Sequence, residues 1–164
     1  MRRIKTGDSK VDALIGLGRV AHIIDGLLER QLAKYDINRS EYILLDVLKE
    51  TGNSLRPSDL KIWLHLAKHT ITMIINSLEK KELVERKIDG SDRRSIQVSL
   101  TSRGWELIGQ IMPVRRQIAD EVMSCLSEDQ VERMDASLET LRLHLDQHGM
   151  ESEPLETRQI HKNG

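Results

Sequence analysis

The spacing of hydrophobic residues changes in the middle of this chain and then changes back. Over residues 11–32, apolar side chains recur at helical intervals, whereas in residues 84–88 and 96–100 they alternate with polar ones. A period of two is the pattern of a β-strand. A short charged segment, residues 89–94, separates the two strands and carries a glycine, so we predict a β-hairpin. Helical spacing returns after residue 101. The chain is therefore predicted to be mainly α-helical, with one small β-hairpin.

Three short helices are predicted ahead of the hairpin. A capping pattern at residues 38–41 starts the first, which covers residues 42–48. Pro57 suits the first turn of the second helix, which runs to Leu64. After a break near His65, the third helix has isoleucines and a leucine on one face and a mainly polar opposite face. The polar face comprises Lys68, His69, Thr70, Thr72, Met73 and Asn76.

Long helices are predicted on both sides of this central part. The apolar stripe of the first helix is wide, so the helix must be covered on more than one side. Residues 101–102 can cap a helix that runs to about Met123, with a kink expected at Pro113. A capping box at residues 127–130 starts the last helix. Its apolar residues step by three and four, as in a coiled coil: Val131, Met134, Leu138, Leu141 and Leu145.

The outer helices predict a homodimer. Two such apolar helices from each of two chains would bury one another in a twofold interface, so residues 9–35 and 105–146 are predicted to be dimerisation helices. From residue 147 onward the chain is polar and without pattern, and we expect residues 147–164 to be disordered. Residues 1–146 are expected to form a single domain.

The formal net charge of -1 argues at first against a nucleic-acid partner. The charges are segregated, however. Residues 54–104 hold ten basic and six acidic side chains, a net of +4, whereas residues 117–164 have a net of -7. This distribution predicts an anionic partner for the central part of the chain.

Several classes of protein are disfavoured by what the sequence lacks. It contains no glycine-rich phosphate loop, no Cys-x-x-Cys pair and no nucleophile elbow, so we expect neither an enzyme nor a bound cofactor or metal. No apolar run approaches the roughly 18 residues of a membrane span. The single cysteine, Cys125, excludes an intramolecular disulfide and favours a cytoplasmic protein.

The order helix, turn, polar-faced helix and charged hairpin is that of a winged helix-turn-helix, over residues 38–101. Its second helix can enter a major groove, and an arginine at the hairpin tip can enter a neighbouring minor groove. We therefore predict double-stranded DNA as the partner. The predicted contacts are Lys68, His69, Thr70, Thr72, Met73, Asn76, Lys87, Arg93 and Arg94.

At this point the sequence resembles the MarR family of bacterial regulators. Residues 66–84 resemble its recognition helix, and residues 89–101 resemble its wing, with the Asp-x-Arg and Leu-Thr signature. The resemblance implies a triangular helical homodimer in which Arg94 enters the minor groove, held by an ion pair with Asp92. The chain departs from the family at several positions: Met73 and Ser77 stand where basic residues are common, Ala67 replaces a capping serine, and His65 and Glu82 stand where glycine is common.

The resemblance also implies a ligand-responsive repressor that binds a pseudo-palindromic operator. A small-molecule effector would bind in the crevice between the winged part and the dimerisation helices. The candidate crevice residues are Arg19, His22, Ile23, Trp105 and Ile108. The alternative is a winged-helix protein-interaction module with weak or no specific DNA binding, which Met73 and the acidic C-terminal third motivate.

Three further features have a structural and a functional interpretation. Trp63 and Trp105 are expected to anchor the winged part. Cys125 is expected to be a buried structural thiol rather than a redox switch. His144 and His148, four residues apart, could share a metal, but no third ligand is evident and we expect none to bind.

Overall fold

The change in hydrophobic period corresponds to a change in secondary structure. A computed structural model describes residues 5–52, 54–88 and 96–148. Its elements are α1 (Ser9–Leu32), a 3-10 turn (Ala33–Tyr35), α2 (Arg39–Thr51), α3 (Pro57–Leu64), α4 (Lys68–Lys80), β1 (Val84–Ile88), β2 (Ile96–Leu100), α5 (Ser102–Met123) and α6 (Glu128–Gln147). The prediction of a mainly α-helical fold with a small β-hairpin is confirmed.

The predicted helix starts are confirmed by hydrogen bonds. Asn38 Oδ1 accepts from the backbone N–H of Glu41, and Glu41 Oε2 accepts from the N–H of Asn38, both at 2.9 Å. Ser127 forms the equivalent capping box with Gln130. These bonds satisfy backbone donors that have no partner within the helix. One helix is longer than predicted: α2 covers Arg39–Thr51 rather than residues 42–48. Helix α5 ends at Met123, as predicted, and Pro113 lies inside it.

The two strands pair antiparallel, and their common face changes from buried to exposed along the hairpin. Val84 lies opposite Leu100, and both are buried, whereas Ile88 lies opposite Ile96, and both are exposed. The hairpin therefore leaves the core as it approaches its tip. The predictions for Asp92, Arg93 and Arg94 concern that tip, which lies outside the described residues.

The buried core is aliphatic except for Tyr42 among the described residues. It joins α2, α4, the hairpin and the first half of α5, and its fully buried members include Leu44, Leu48, Ile71, Val98 and Ile108. The expectation that both tryptophans anchor the winged part is wrong in the described chain. Trp63 is 60% exposed and Trp105 is 46% exposed, because aliphatic side chains on the same helices fill the core instead.

The start of α5 is tied to the turn that follows α4. Thr101 Oγ1 donates to the carbonyl oxygen of Glu82 at 2.6 Å and accepts from the N–H of Gly104 at 3.1 Å. A Cβ atom on Gly104 would lie 2.2 Å from the carbonyl oxygen of Leu83. Only glycine permits this close approach, which sets the position of α5 against the hairpin.

The outer helices leave apolar side chains uncovered in the single chain. The exposed residues of α1 are Val11, Leu14, Ile15, Leu17, Val20 and Ile23, and those of α6 are Leu138, Leu141, Leu143 and Leu145. None of the residues of α6 is buried. An exposed apolar surface of this extent marks an interaction surface. None of the helices in the described ranges is both long enough and apolar enough to cross a bilayer.

Two of the remaining sequence predictions concern the C-terminal part. The expectation of a buried Cys125 is wrong: the thiol is exposed, because it lies in the turn between α5 and α6 rather than on a packed helix face. The rings of His144 and His148 lie 4.2 Å apart, and His148 Nδ1 lies 2.8 Å from the carbonyl oxygen of His144. Within the described residues no third side chain completes a metal site. The predicted disorder of the tail falls mainly on residues 149–164, outside the described ranges.

Candidate nucleic-acid interface

A short turn, residues 65–67, joins α3 to α4, and the two helices contact each other. His65 ends α3 in the left-handed region, at φ 48° and ψ 38°. Such a backbone costs about 1–2 kcal/mol for a residue with a side chain, whereas glycine adopts it freely. Ala67 then starts α4 without a side-chain capping bond. The first backbone N–H groups of α4 therefore lack a side-chain acceptor from the cap residue.

The two faces of α4 differ as the sequence predicts. Its apolar residues, Ile71, Ile74, Ile75 and Leu78, are all buried. Of the predicted DNA contacts on the opposite side, Thr70 is half-buried and the others are exposed: Lys68, His69, Thr72, Met73 and Asn76. The structure thus brings these six residues together along one accessible helix face.

Several of these side chains have local partners. Thr72 Oγ1 donates to the carbonyl oxygen of Lys68 at 3.0 Å. Thr70 Oγ1 lies 3.3 Å from His69 Nε2. Met73 is 68% exposed and is not packed in the core of the chain. A flexible thioether at this position can contact an apolar base group such as the thymine methyl.

An arginine that was not predicted from sequence joins the edge of this face. Arg86, on β1, donates from Nη2 to Asn76 Oδ1 at 2.6 Å and from Nη1 to Glu79 Oε2 at 2.9 Å. A signal for it exists in the sequence. Arg86 alternates with Val84 and Ile88 on what is otherwise an apolar strand face, so a charged residue there needs a partner.

A buried carboxylate holds the inner side of α4. Glu41 is 1% exposed, and its Oε1 accepts from Ser77 Oγ at 2.6 Å. Its Oε2 lies 3.0 Å from Lys81 Nζ, which also donates to the backbone carbonyl of Asp36. Ser77, a position where basic residues are common in the resembling family, thus faces inward in this chain.

The partners of Glu41 keep it charged. Burial raises the pKa of Glu41, but the hydrogen bonds from Ser77 and from the backbone of Asn38, together with the hydrogen bond and charge of Lys81, lower it by more. The net pKa lies below the ordinary value. Glu41 is therefore an ionised group that ties the start of α2 to the end of α4.

Charge on the hairpin is only partly described. Lys87 is exposed, and its Nζ lies 2.5 Å from Glu85 Oε1. Part of the charge of Lys87 is therefore balanced by a carboxylate on the same strand. Predicted contacts at Arg93 and Arg94, and the supporting Asp92, remain predictions because the structure does not describe residues 89–95.

The predicted crevice residues are not brought together in a described hollow. Arg19, His22 and Ile23 lie exposed on α1, Trp105 is half-exposed on α5, and Ile108 is buried in the core. Two hollows of about 330 and 680 Å³ lie beside them in the fold. The smaller lies between α1 and α5, the larger between the 3-10 turn, the end of α4 and α5. Neither is lined by any of the five residues, whose ligand role stays a prediction.

Comparison with known proteins places this geometry in a family. Residues 37–96 match the sequence profile of the MarR family. The HTH-type transcriptional regulator MhqR of Bacillus subtilis (strain 168) is 30% identical over 141 residues, which cover 85% of this chain and 96% of MhqR. The transcriptional repressor MprA of Escherichia coli (strain K12) is 28% identical over 77% of this chain and 74% of MprA.

A solved complex shows the same fold on DNA. A cysteine-to-serine variant of MarR from Escherichia coli, complexed with operator DNA, matches with a TM-score of 0.69 at 25% identity. The match covers 82% of this chain and 99% of MarR. The chain therefore belongs to the MarR family of winged helix-turn-helix transcriptional regulators.

Proposed function

We propose that this protein is a dimeric, sequence-specific DNA-binding regulator that reads double-stranded DNA with α4 and the hairpin. One observation carries the proposal: α4 buries all its isoleucines and its leucine and leaves a polar, cationic face open. A helix of this kind fits the major groove, where its N-terminal side chains reach base edges. The related MarR, solved in complex with operator DNA, supports DNA as the partner.

The uncovered faces of α1 and α6 support a homodimer. Ten large apolar side chains on these two helices are exposed in the single chain, and a second copy would bury them in a twofold interface. Residues 9–35 and 105–146 would then act as dimerisation helices within a single domain over residues 1–146. The dimer would present two copies of α4 to half-sites about 34 Å apart, which implies a pseudo-palindromic operator.

We further propose a cytoplasmic repressor that responds to a small molecule and has no catalytic activity of its own. The related MprA is a transcriptional repressor. An effector releases DNA only if it binds the DNA-incompetent spacing of the two winged parts more tightly than the competent one. The family resemblance suggests that the effector binds between the winged part and the dimerisation helices, with Arg19, His22, Ile23, Trp105 and Ile108 as candidate contacts.

The proposal is tested by salt-dependent binding. Fluorescence anisotropy with a labelled random-sequence duplex should show affinity that falls steeply and linearly with the logarithm of salt concentration, because phosphate contacts release counterions. Selection of bound genomic fragments then yields the operator. No measurable binding at low salt would instead favour the protein-interaction module.

A matched pair of variants locates the surface. Lys68→Ala removes an exposed cation at the start of α4 and should weaken binding to all sequences and reduce the salt slope by about one. Arg133→Ala also removes one positive charge, from an exposed pair with Asp129 on α6. Arg133 lies 13 residues before Asp146, about 20 Å along the helix. Since Asp146 contacts His65 beside the start of α4, Arg133 is far from the proposed DNA-contacting surface. Arg133→Ala should leave binding unchanged as long as size-exclusion chromatography shows the dimer intact, because Arg133 lies on a proposed dimerisation helix.

A further inference from the structure

The contact between the hairpin and the exposed face of α4 constrains how one base-reading side chain can act. Arg86 spans Asn76 and Glu79, which lie three residues apart on the same face of α4. Both ends of the guanidinium are held, at 2.6 Å and 2.9 Å. Arg86 is therefore fixed against the helix rather than extended toward solvent.

This contact determines the orientation of the Asn76 amide. A guanidinium has five N–H donors and no acceptor, so the amide atom that faces it must be the oxygen. The usual ambiguity between the oxygen and nitrogen of an asparagine is thereby resolved by chemistry. Asn76 is exposed, and its Nδ2 has no hydrogen-bond partner among the residues that the structure describes. The amide group left for a ligand is the NH₂ donor.

We propose that Arg86 is a positioning residue that makes Asn76 read DNA as a hydrogen-bond donor. This rests on the proposed function, in which α4 enters the major groove. A free asparagine there pairs with adenine through two bonds, accepting from N6 and donating to N7. Arg86 takes one of the two lone pairs of Oδ1 and holds that oxygen toward β1, whereas the two N–H donors of Nδ2 have no partner among the described residues. Read through Nδ2, Asn76 selects a base that offers a major-groove acceptor: O6 or N7 of guanine, N7 of adenine or O4 of thymine. It disfavours cytosine, which presents the N4 donor, and it does not require the adenine N6 amino group.

The first experiment uses the wild-type protein and its selected operator. The affinities of wild type and of Asn76→Ala are measured on a set of operators that each carry one base substitution. The base that Asn76 contacts is the one whose substitution weakens binding of wild type but leaves binding of Asn76→Ala unchanged. Base analogues are then placed there. An analogue that lacks only the acceptor atom should weaken wild-type binding by roughly fivefold, the effect of one hydrogen bond. If the base is adenine, an analogue that lacks only the N6 amino group should bind as well as adenine.

The second experiment compares two variants of β1. Arg86→Met releases the Asn76 amide and should reduce the discrimination against cytosine at that position. Lys87→Met removes the same charge from the next residue but leaves Arg86 in place, so it should lower affinity for all sequences equally and keep the preference. Thermal unfolding of both variants checks that they fold, and the analogue series on wild type does not depend on either variant.

The outcomes separate this inference from the proposed function. Absence of salt-dependent binding to random duplex DNA contradicts DNA binding itself. The second outcome is that DNA binding is retained but the analogue without the adenine N6 amino group weakens it as much as the analogue without the acceptor. That result would show that Asn76 accepts a hydrogen bond through its oxygen, and it overturns the inference. Unaltered base preference in Arg86→Met, with its fold intact, overturns the positioning role.

Discussion

Glu41→Gln tests whether the buried carboxylate stabilises the fold. The substitution keeps the side-chain volume and removes the charge. In the better of its two orientations, the amide oxygen still accepts from the N–H of Asn38 and from Lys81, and the NH₂ group faces the Ser77 hydroxyl, which must turn to accept. Three hydrogen bonds thus lose their charged acceptor. Hydrogen bonds to charged groups contribute about 1.5–3 kcal/mol each and neutral ones about 0.5–1.5 kcal/mol.

The expected loss is about 2 kcal/mol of unfolding free energy at neutral pH, because relief of the buried charge offsets part of the difference. For a chain of this size that corresponds to a decrease of about 4–8 °C in Tm. Glu41→Ala should cost more, about 3–5 kcal/mol, since it leaves the Ser77 hydroxyl and the Asn38 N–H without an acceptor. It also removes the charge partner of Lys81, which keeps its bond to the carbonyl of Asp36.

The assay is urea unfolding followed by far-UV circular dichroism. Protein concentration must be the same for all variants, because the stability of a dimer depends on it. Glu50→Gln is the matched control: it makes the same change on the same helix, but Glu50 forms a surface pair with Lys49, and its stability should equal that of wild type. If Glu41→Gln also unfolds at the wild-type urea midpoint, the free-energy cost of desolvating the carboxylate equals the gain from its hydrogen bonds. That result would refute the reasoning.

Further predictions follow from the same contacts. The lowered pKa of Glu41 gives stability that is fully present above the unfolded-state pKa and is lost as pH falls through the folded-state pKa. The gap in urea midpoint between wild type and Glu41→Gln should therefore begin to narrow below about pH 4.3, the ordinary pKa of glutamate, and close below the folded-state pKa. Gly104→Ala should lower the free energy of unfolding by about 1–3 kcal/mol in the same assay, because the added Cβ would meet the carbonyl of Leu83. Gly109→Ala is the control: its Cβ would enter open space, so the free energy of unfolding should stay the same or rise by up to about 1 kcal/mol. Thr101→Ala removes the cap of α5 and should cost about 1–2 kcal/mol by thermal unfolding; an unchanged Tm would contradict the capping role.

Local patterns were sufficient for much of the fold. Capping boxes at residues 38–41 and 127–130, Pro57 at the first turn of α3 and the alternation in β1 and β2 all predicted the observed elements. Each of these signals involves residues fewer than five positions apart, so it acts before the chain packs. The same periodicity identified which face of α4 would be buried, and hence most of the candidate DNA-contacting surface.

Contacts between distant parts of the chain were not predictable in this way. Two partners of Glu41, Ser77 and Lys81, lie 36 and 40 residues away in the chain. Arg86 contacts α4 from strand β1. The exposure of Trp63, Trp105 and Cys125 likewise depends on which side chains fill the core.

The helices, the hairpin and the polar face of α4 therefore follow from local signals, because hydrogen-bonded periodicity and capping involve residues close together in the chain. How that face is held depends on long-range packing, which brings the buried carboxylate of Glu41 behind it and the guanidinium of Arg86 to its edge. A charged group can be buried, or held in one orientation, only where packing brings a partner into contact with it. For Glu41 and Arg86, that contact comes from tertiary packing rather than from residues nearby in the chain.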